Sequence, residues 1–158
     1  MGGMDTATFL KQIGKLPGYK GQVVHVQHLA ARAARYGTLD RPLAAALQAA
    51  LQARGAGRLY SHQALAINAV RAGQHVILST GTASGKTLCY NVPVLDALLA
   101  DRRARALYLL PTTALAHDQL RGLQALLQGG LEHVRLGTYD GDTPQAARSR
   151  LRREASIL

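Results

Sequence analysis

The chain has 158 residues, of which 47% are hydrophobic and 18% charged, and its formal net charge is +10. This composition excludes a disordered tail or a coiled coil, and the length predicts one domain or a large piece of one. Apolar runs are too short for a membrane span, the start of the chain lacks a signal peptide, and a single Cys cannot form an internal disulfide. We expect a cytoplasmic protein whose basic charge favours polyanions such as nucleic acids.

The first part of the chain is predicted to be mostly helical. Helices are expected over residues 5–16, 42–54 and 61–72, with a loosely alternating extended segment between the first two. Pro42 suits the first position of the second helix, and Ser61 suits the N-cap of the third.

The later part of the chain alternates between short apolar runs and helical patterns. Strands are predicted at 75–79, 104–110 and 133–138, with a fourth beginning at 156–158, and helices follow the first three strands, reaching residues 100, 128 and 155. This order argues for right-handed βαβ units on a parallel sheet, which is an α/β fold.

Residues 80–87 carry the Gly-Lys-Thr end of a phosphate-binding loop, with Thr80 where the strict pattern has its first Gly. Small residues let successive N–H groups turn towards phosphate oxygens at a helix N-terminus. The residues expected to line this cradle are Thr82, Ala83, Ser84 and Gly85. Lys86 is expected to reach the β- and γ-phosphates, and the Thr87 hydroxyl is expected to bind Mg²⁺ through the nucleotide.

Three further segments accompany this loop, and they read Leu59-Tyr60-Ser61-His62-Gln63, Pro111 to Gln119, and Thr138 to Thr143. With the loop, they resemble the Q motif and motifs I, Ia and Ib of superfamily-two DEAD/DEAH-box ATP-dependent helicases. More narrowly, residues 82–91 and 139–144 resemble DNA-repair helicases of the mitomycin-repair-factor-A type. The resemblance extends from about Gln22 to the end of the chain.

The resemblance implies a partial RecA-like P-loop domain over residues 57–158, preceded by an accessory segment over 1–56. ATP and Mg²⁺ are the implied cofactors. Gln63 would bond the adenine, with Tyr60 packed near it, and a carboxamide matches the donor and acceptor edge of that base. His62 is interpreted as a surface or capping residue.

Motifs Ia and Ib of the family hold the sugar-phosphate backbone of a single strand, and DNA is expected here rather than RNA. The residues that this carries over are Thr112, Thr113, Tyr139, Gly141 and Thr143. Thr113 departs from the family, which usually has Lys or Arg there. Arg148 and the arginines that follow it are interpreted as a solvated helix face.

The catalytic set implied by the family is incomplete. No apolar run ends in an Asp-Glu pair that could hold Mg²⁺ and polarise water, and the second motor domain with its arginine finger is missing. We therefore expect an N-terminal helicase fragment that ends before motif II, is inactive by itself, and leaves its P-loop strand without a neighbour. Two alternatives stay open, a small P-loop kinase and a non-enzymatic nucleotide-binding module.

Overall fold

The computed structural model describes residues 5–81, 83–128, 130–131 and 133–158. They form two compact units, one up to Ala33 and one from Ala34 to Leu158. The helices are α1 (Thr6–Ile13), α2 (Ala45–Ala53), α3 (Ser61–Arg71), α4 (Lys86–Ala100), α5 (Thr113–Leu127) and α6 (Gln145–Glu154). Within the described ranges, no helix is both long and apolar enough to cross a bilayer.

The first unit contains α1 and an extended segment. The Asp5 carboxylate caps α1 by accepting a hydrogen bond of 2.6 Å from the backbone N–H of Thr8. None of the residues of α1 is buried, and the segment over 22–33 is exposed along its length.

The core of the second unit is formed by the apolar faces of four helices. Apolar residues recur at helical spacing along each helix, so each helix buries one apolar face and exposes the opposite face to water. The members of this core include Leu47 and Leu51 on α2, Ile67 on α3, Val92 and Leu95 on α4, Leu123 and Leu126 on α5, and Leu131 after α5. Cys89 on α4 is also buried, as a free thiol.

The prediction that α2 begins at Pro42 is wrong, because the helix begins at Ala45. The guanidinium of Arg71 donates hydrogen bonds to the carbonyl oxygens of Arg41 (2.7 Å) and Pro42 (3.4 Å). In a helix starting at Pro42 those carbonyls would accept from the next turn of backbone instead. The long-range contact with Arg71 therefore keeps this stretch extended.

Extended segments meet at the end of the chain. Ile157 forms parallel bridges with both Ala106 and Leu136, so it lies between them. Hydrogen bonds from Ala106 N to Ser156 O (2.9 Å) and from Gly137 N to Ile157 O (3.0 Å) join the three segments. Among the described residues these pairings remain isolated bridges rather than continuous strands.

The segment predicted as the first strand, residues 75–79, is extended but unpaired. No backbone hydrogen bond among the described residues links it to another segment. Ile77 in its middle is 96% exposed. This segment leads directly into the phosphate-binding loop and α4.

Candidate functional site

The phosphate-binding loop has the backbone conformation that its sequence requires. Gly85 has φ 76° and precedes Lys86, the first residue of α4, while Ala83 has φ 57°. Both residues are in the left-handed region, which glycine adopts freely and alanine adopts at some cost. Thr82, predicted to line the cradle, lies outside the described residues.

Lys86 folds back over this loop. Its ammonium group donates hydrogen bonds of 2.6 Å to the carbonyl oxygens of both Thr80 and Gly81. The Thr80 hydroxyl lies 2.7 Å from the Ser84 hydroxyl, so the residue in the place of the usual Gly helps to close the loop. Thr87, the predicted magnesium ligand, is half-buried in the first turn of α4.

Gln63 is buried and ties α3 to the loop. Its Oε1 atom accepts a hydrogen bond from the backbone N–H of Tyr60 (2.8 Å), and its Nε2 atom donates to the carbonyl oxygen of Gly85 (3.0 Å). A side chain at position 85 would collide with this amide. The prediction that Ser61 is the N-cap of α3 is wrong, because the N-cap is Tyr60. The Gln63 side chain accepts the hydrogen bond of the Tyr60 backbone N–H, as in a capping box.

Aromatic rings stack beside Gln63. The Tyr60 ring lies 5.5 Å from the Tyr36 ring and 6.0 Å from the His62 ring, with interplanar angles of 14° and 11°. The Arg58 guanidinium carbon lies 3.7 Å from the centroid of the Tyr36 ring, at cation–π distance. A cleft of about 460 Å³ opens between these groups and the loop, lined by Tyr36, Arg58, Tyr60, Gln63, Ala83 and Gly85 among others.

Sequence reasoning missed Tyr36 and Arg58, and it interpreted His62 as a surface or capping residue. Tyr36 reaches Tyr60 because the two residues form an antiparallel bridge, flanked by hydrogen bonds from Gly37 N to Leu59 O and from Ser61 N to Arg35 O. No local pattern predicts this pairing. The one feature of the sequence that could have pointed to Arg58 is the aromatic Tyr60, two positions after it.

The predicted nucleic-acid contacts lie at the ends of extended segments. Thr112 is the N-cap of α5, and its hydroxyl accepts a hydrogen bond of 3.2 Å from Leu115 N. Thr112, Thr113 and Tyr139 line one cavity of about 470 Å³. Gly141 and Thr143 belong to the adjoining turn and are not on the cavity wall.

Arg148 on α6 holds this turn together. Its guanidinium donates to the carbonyl oxygens of Thr143 (2.9 Å), Asp140 (3.3 Å) and Gly141 (3.4 Å). The Thr143 hydroxyl in turn donates to the Asp140 carboxylate (2.9 Å). The interpretation of Arg148 as part of a solvated face is therefore wrong, because its fork of donors is used internally.

Side chains of α4 connect the loop region to the α5 region. The Tyr90 hydroxyl donates to Gln119 Oε1 (2.8 Å), and the Tyr108 hydroxyl donates to Asn91 Oδ1 (2.9 Å). The two tyrosine rings meet edge to face at 5.6 Å. Burial raises the pKa of the Tyr108 phenol, so this group stays protonated and acts as a donor.

A family model described as DEAD/DEAH box helicase matches residues 60–158, which include the loop, Gln63 and both candidate nucleic-acid segments. The chain belongs to this family. The kinship indicated by the four motifs is thereby confirmed, and the small-kinase alternative is not favoured.

Curated helicases resemble the chain over almost its whole length. It is 41% identical over 154 residues to the ATP-dependent helicase hrq1 of Schizosaccharomyces pombe, covering 94% of this chain and 14% of that protein. It is 40% identical over 155 residues to the uncharacterized ATP-dependent helicase YprA of Bacillus subtilis, covering 98% and 21%. The chain thus spans at most about a fifth of the length of these relatives.

A solved structure shares the fold. The helicase MrfA, crystallised with DNA and AMPPNP, matches with a TM-score of 0.81 and 38% identity over 94% of this chain and 21% of that chain. The chain therefore has the fold of the corresponding part of a helicase domain, and the neighbours imply that this domain is RecA-like.

Proposed function

We propose that the chain is the ATP-binding part of an ATP-dependent DNA helicase or translocase that works in DNA repair. The parent protein couples ATP hydrolysis to movement along single-stranded DNA. Family membership supports this, as do the relatives named ATP-dependent helicases and the MrfA structure with DNA and AMPPNP. The observation that carries the proposal is the phosphate-binding loop with Lys86 at the start of α4.

The residues of the loop fit a triphosphate. Ala83 and Gly85 both have positive φ, and alternation between the right- and left-handed regions is the backbone conformation from which anion-binding nests are built. Lys86 is held by two neutral carbonyl oxygens, which a phosphate would replace with a charged partner. The Lys86 side chain therefore has a stronger acceptor to gain when nucleotide binds.

Thr87 is the residue that would hold Mg²⁺ beside the bound nucleotide. Its hydroxyl is a hard oxygen ligand of the kind this ion prefers, and the ion would neutralise charge on the terminal phosphates. Its place in the first turn of α4, one residue after Lys86, supports this role.

Gln63 and Tyr60 are proposed to recognise the adenine. The cleft of about 460 Å³ that they line opens onto the loop, and Tyr60 is 42% exposed. Gln63 has one amide N–H and one oxygen lone pair left after its bonds to Tyr60 and Gly85, and because it is only 2% exposed, a base would have to reach it through the cleft that it lines.

The DNA strand is proposed to lie over the ends of the extended segments, near Thr112, Thr113 and Tyr139. The hydroxyls and backbone N–H groups at the start of α5 suit phosphate oxygens. Gly141 and Thr143 would contribute from the turn that Arg148 braces. The bridges of Ile157 to Ala106 and Leu136 support a parallel sheet beneath this surface. The family match from residue 60 onwards supports the boundary proposed near residue 57.

A calorimetric titration with Mg-ATP tests the proposal. The chain should bind Mg-ATP, and Lys86→Ala should abolish binding because it removes the cation placed for the terminal phosphates. Lys20→Ala, which removes the same charge from the first unit, is the matched control and should bind normally. Unchanged affinity in Lys86→Ala would contradict the assignment of the loop.

A further inference from the structure

Two consecutive side chains in the first turn of α3 bond to two consecutive carbonyls of the phosphate loop. His62 Nε2 lies 2.9 Å from the carbonyl oxygen of Ser84, and Gln63 Nε2 lies 3.0 Å from that of Gly85. Both contacts span 22 residues of sequence. Gln63 also faces the cleft proposed for the base, whereas the bond of His62 joins it to the loop alone.

The planarity of the peptide bond gives these contacts a consequence. In a trans peptide, the carbonyl and the following N–H point in opposite directions. A donor that holds the Ser84 carbonyl therefore makes the N–H of Gly85 point in the opposite direction within that peptide plane. A donor that holds the Gly85 carbonyl does the same for the N–H of Lys86. The two side chains thus fix two of the N–H groups at the N-terminus of α4, and N–H groups at helix N-termini are suited to binding anions.

The His62 ring is itself held in place. A carbonyl oxygen only accepts, so Nε2 carries the proton in this contact. The ring also stacks on Tyr60 with an interplanar angle of 11°. The bond to the loop and the stack on the tyrosine are therefore separable contributions of one side chain.

We propose that His62 is a positioning residue for the triphosphate: by holding the Ser84 carbonyl, it pre-organises the N–H groups that bind phosphate. This inference rests on the proposed function of the loop. It acts on the phosphates rather than on the base, so it applies equally to ATP and to inorganic tripolyphosphate.

Two substitutions separate the two contributions. His62→Phe keeps an aromatic ring for the stack on Tyr60 and removes the donor. His62→Gln removes the ring and keeps an N–H donor the same number of bonds from the backbone. His133→Phe, at an exposed histidine, is the matched control. Thermal unfolding of each variant checks that the fold is retained.

The affinities for Mg-ATP and magnesium tripolyphosphate are measured by calorimetry. His62→Phe loses one hydrogen bond, so its affinity for both ligands should fall by the same factor, about 3- to 10-fold. The affinities of His62→Gln and His133→Phe should stay near the wild-type values. Unchanged affinity in His62→Phe overturns the proposal. An equal loss in His62→Gln also overturns it, because the stack on Tyr60 would then be what matters.

Amide hydrogen exchange in the ligand-free chain separates this proposal from the proposed function. His62→Phe should speed exchange over residues 83–86, and His62→Gln should not. The wild-type chain could bind neither ligand while exchange is faster in His62→Phe and unchanged in His62→Gln. That result would refute the proposed nucleotide binding and support the bracing role of His62. If exchange is the same in all variants, the bracing role is refuted, whatever the chain binds.

Discussion

Arg71 on α3 and Asp96 on α4 form a salt bridge of 2.8 Å in which the two side chains are only 7% and 19% exposed. The bridge fixes the helix that carries Gln63 against the helix that begins at Lys86. The same guanidinium also satisfies two backbone carbonyls ahead of α2. One arginine therefore joins three parts of the second unit.

Asp96→Asn should destabilise the second unit by about 2–4 kcal/mol, because it leaves the Arg71 charge mostly buried without its anion. Chemical denaturation measures the change. The control is Asp118→Asn, which breaks the exposed bridge to Arg121 on α5 and should change stability very little. Similar losses in both variants would show that burial does not govern the strength of this pair.

Gln63 should give the site a preference for ATP over GTP, because its amide can pair with the adenine edge. Gln63→Ala should remove the preference, as measured by competition binding. This variant also loses the bond to Gly85, so its affinity for both nucleotides should fall together. Tripolyphosphate affinity monitors that shared loss, and a wild-type chain without base preference would refute the adenine assignment.

Arg148→Ala should weaken binding of single-stranded DNA more than Arg150→Ala does. Both variants remove one positive charge from α6, so the counterion-release contribution is the same in each. Only Arg148 braces the turn over residues 139–143, whereas Arg150 is exposed. Fluorescence anisotropy at two salt concentrations makes the comparison. Equal losses would mean that the turn is not a DNA contact.

Residues 1–158 alone should show no detectable DNA-stimulated ATP hydrolysis. The sequence has no adjacent acidic pair of the kind that motif II of the family supplies, and no arginine finger. Losing one such element costs about 10²- to 10³-fold in rate, and here at least two are missing. A phosphate-release assay decides the point. Stimulated turnover that disappears in Lys86→Ala would show that the catalytic acid lies elsewhere in this chain.

Local patterns predicted the helices, whereas the segments predicted as strands are isolated bridges or unpaired among the described residues. Each helical stripe and each Gly or Pro stop depends on residues a few positions apart, so the six helices lie close to their predicted ranges. Helix starts were less predictable: α2 begins late because Arg71, far along the chain, holds the preceding carbonyls. Tertiary contacts decided that boundary.

In the candidate site too, residues that belong to local motifs were predictable, and residues that act through distant segments were not. The phosphate loop and Gln63 are recognisable because their chemistry requires particular residues at fixed spacing. Tyr36, His62 and Arg148 act through backbone carbonyls or ring faces contributed by other segments. A carbonyl oxygen is present at every residue, so the sequence carries no mark of which one a side chain will bind.

The bridges of Ile157 to Ala106 and Leu136 bear on how the chain folds. Two extended segments, around Ala106 and Leu136, are joined through hydrogen bonds to residues 156–158, and both are made before these residues during synthesis. Closing such long loops is slow, because the entropy of closure is lost before the contacts form. On the ribosome, α5 can form early, but the surface that its first turn shares with Tyr139 must wait until Ile157 has emerged.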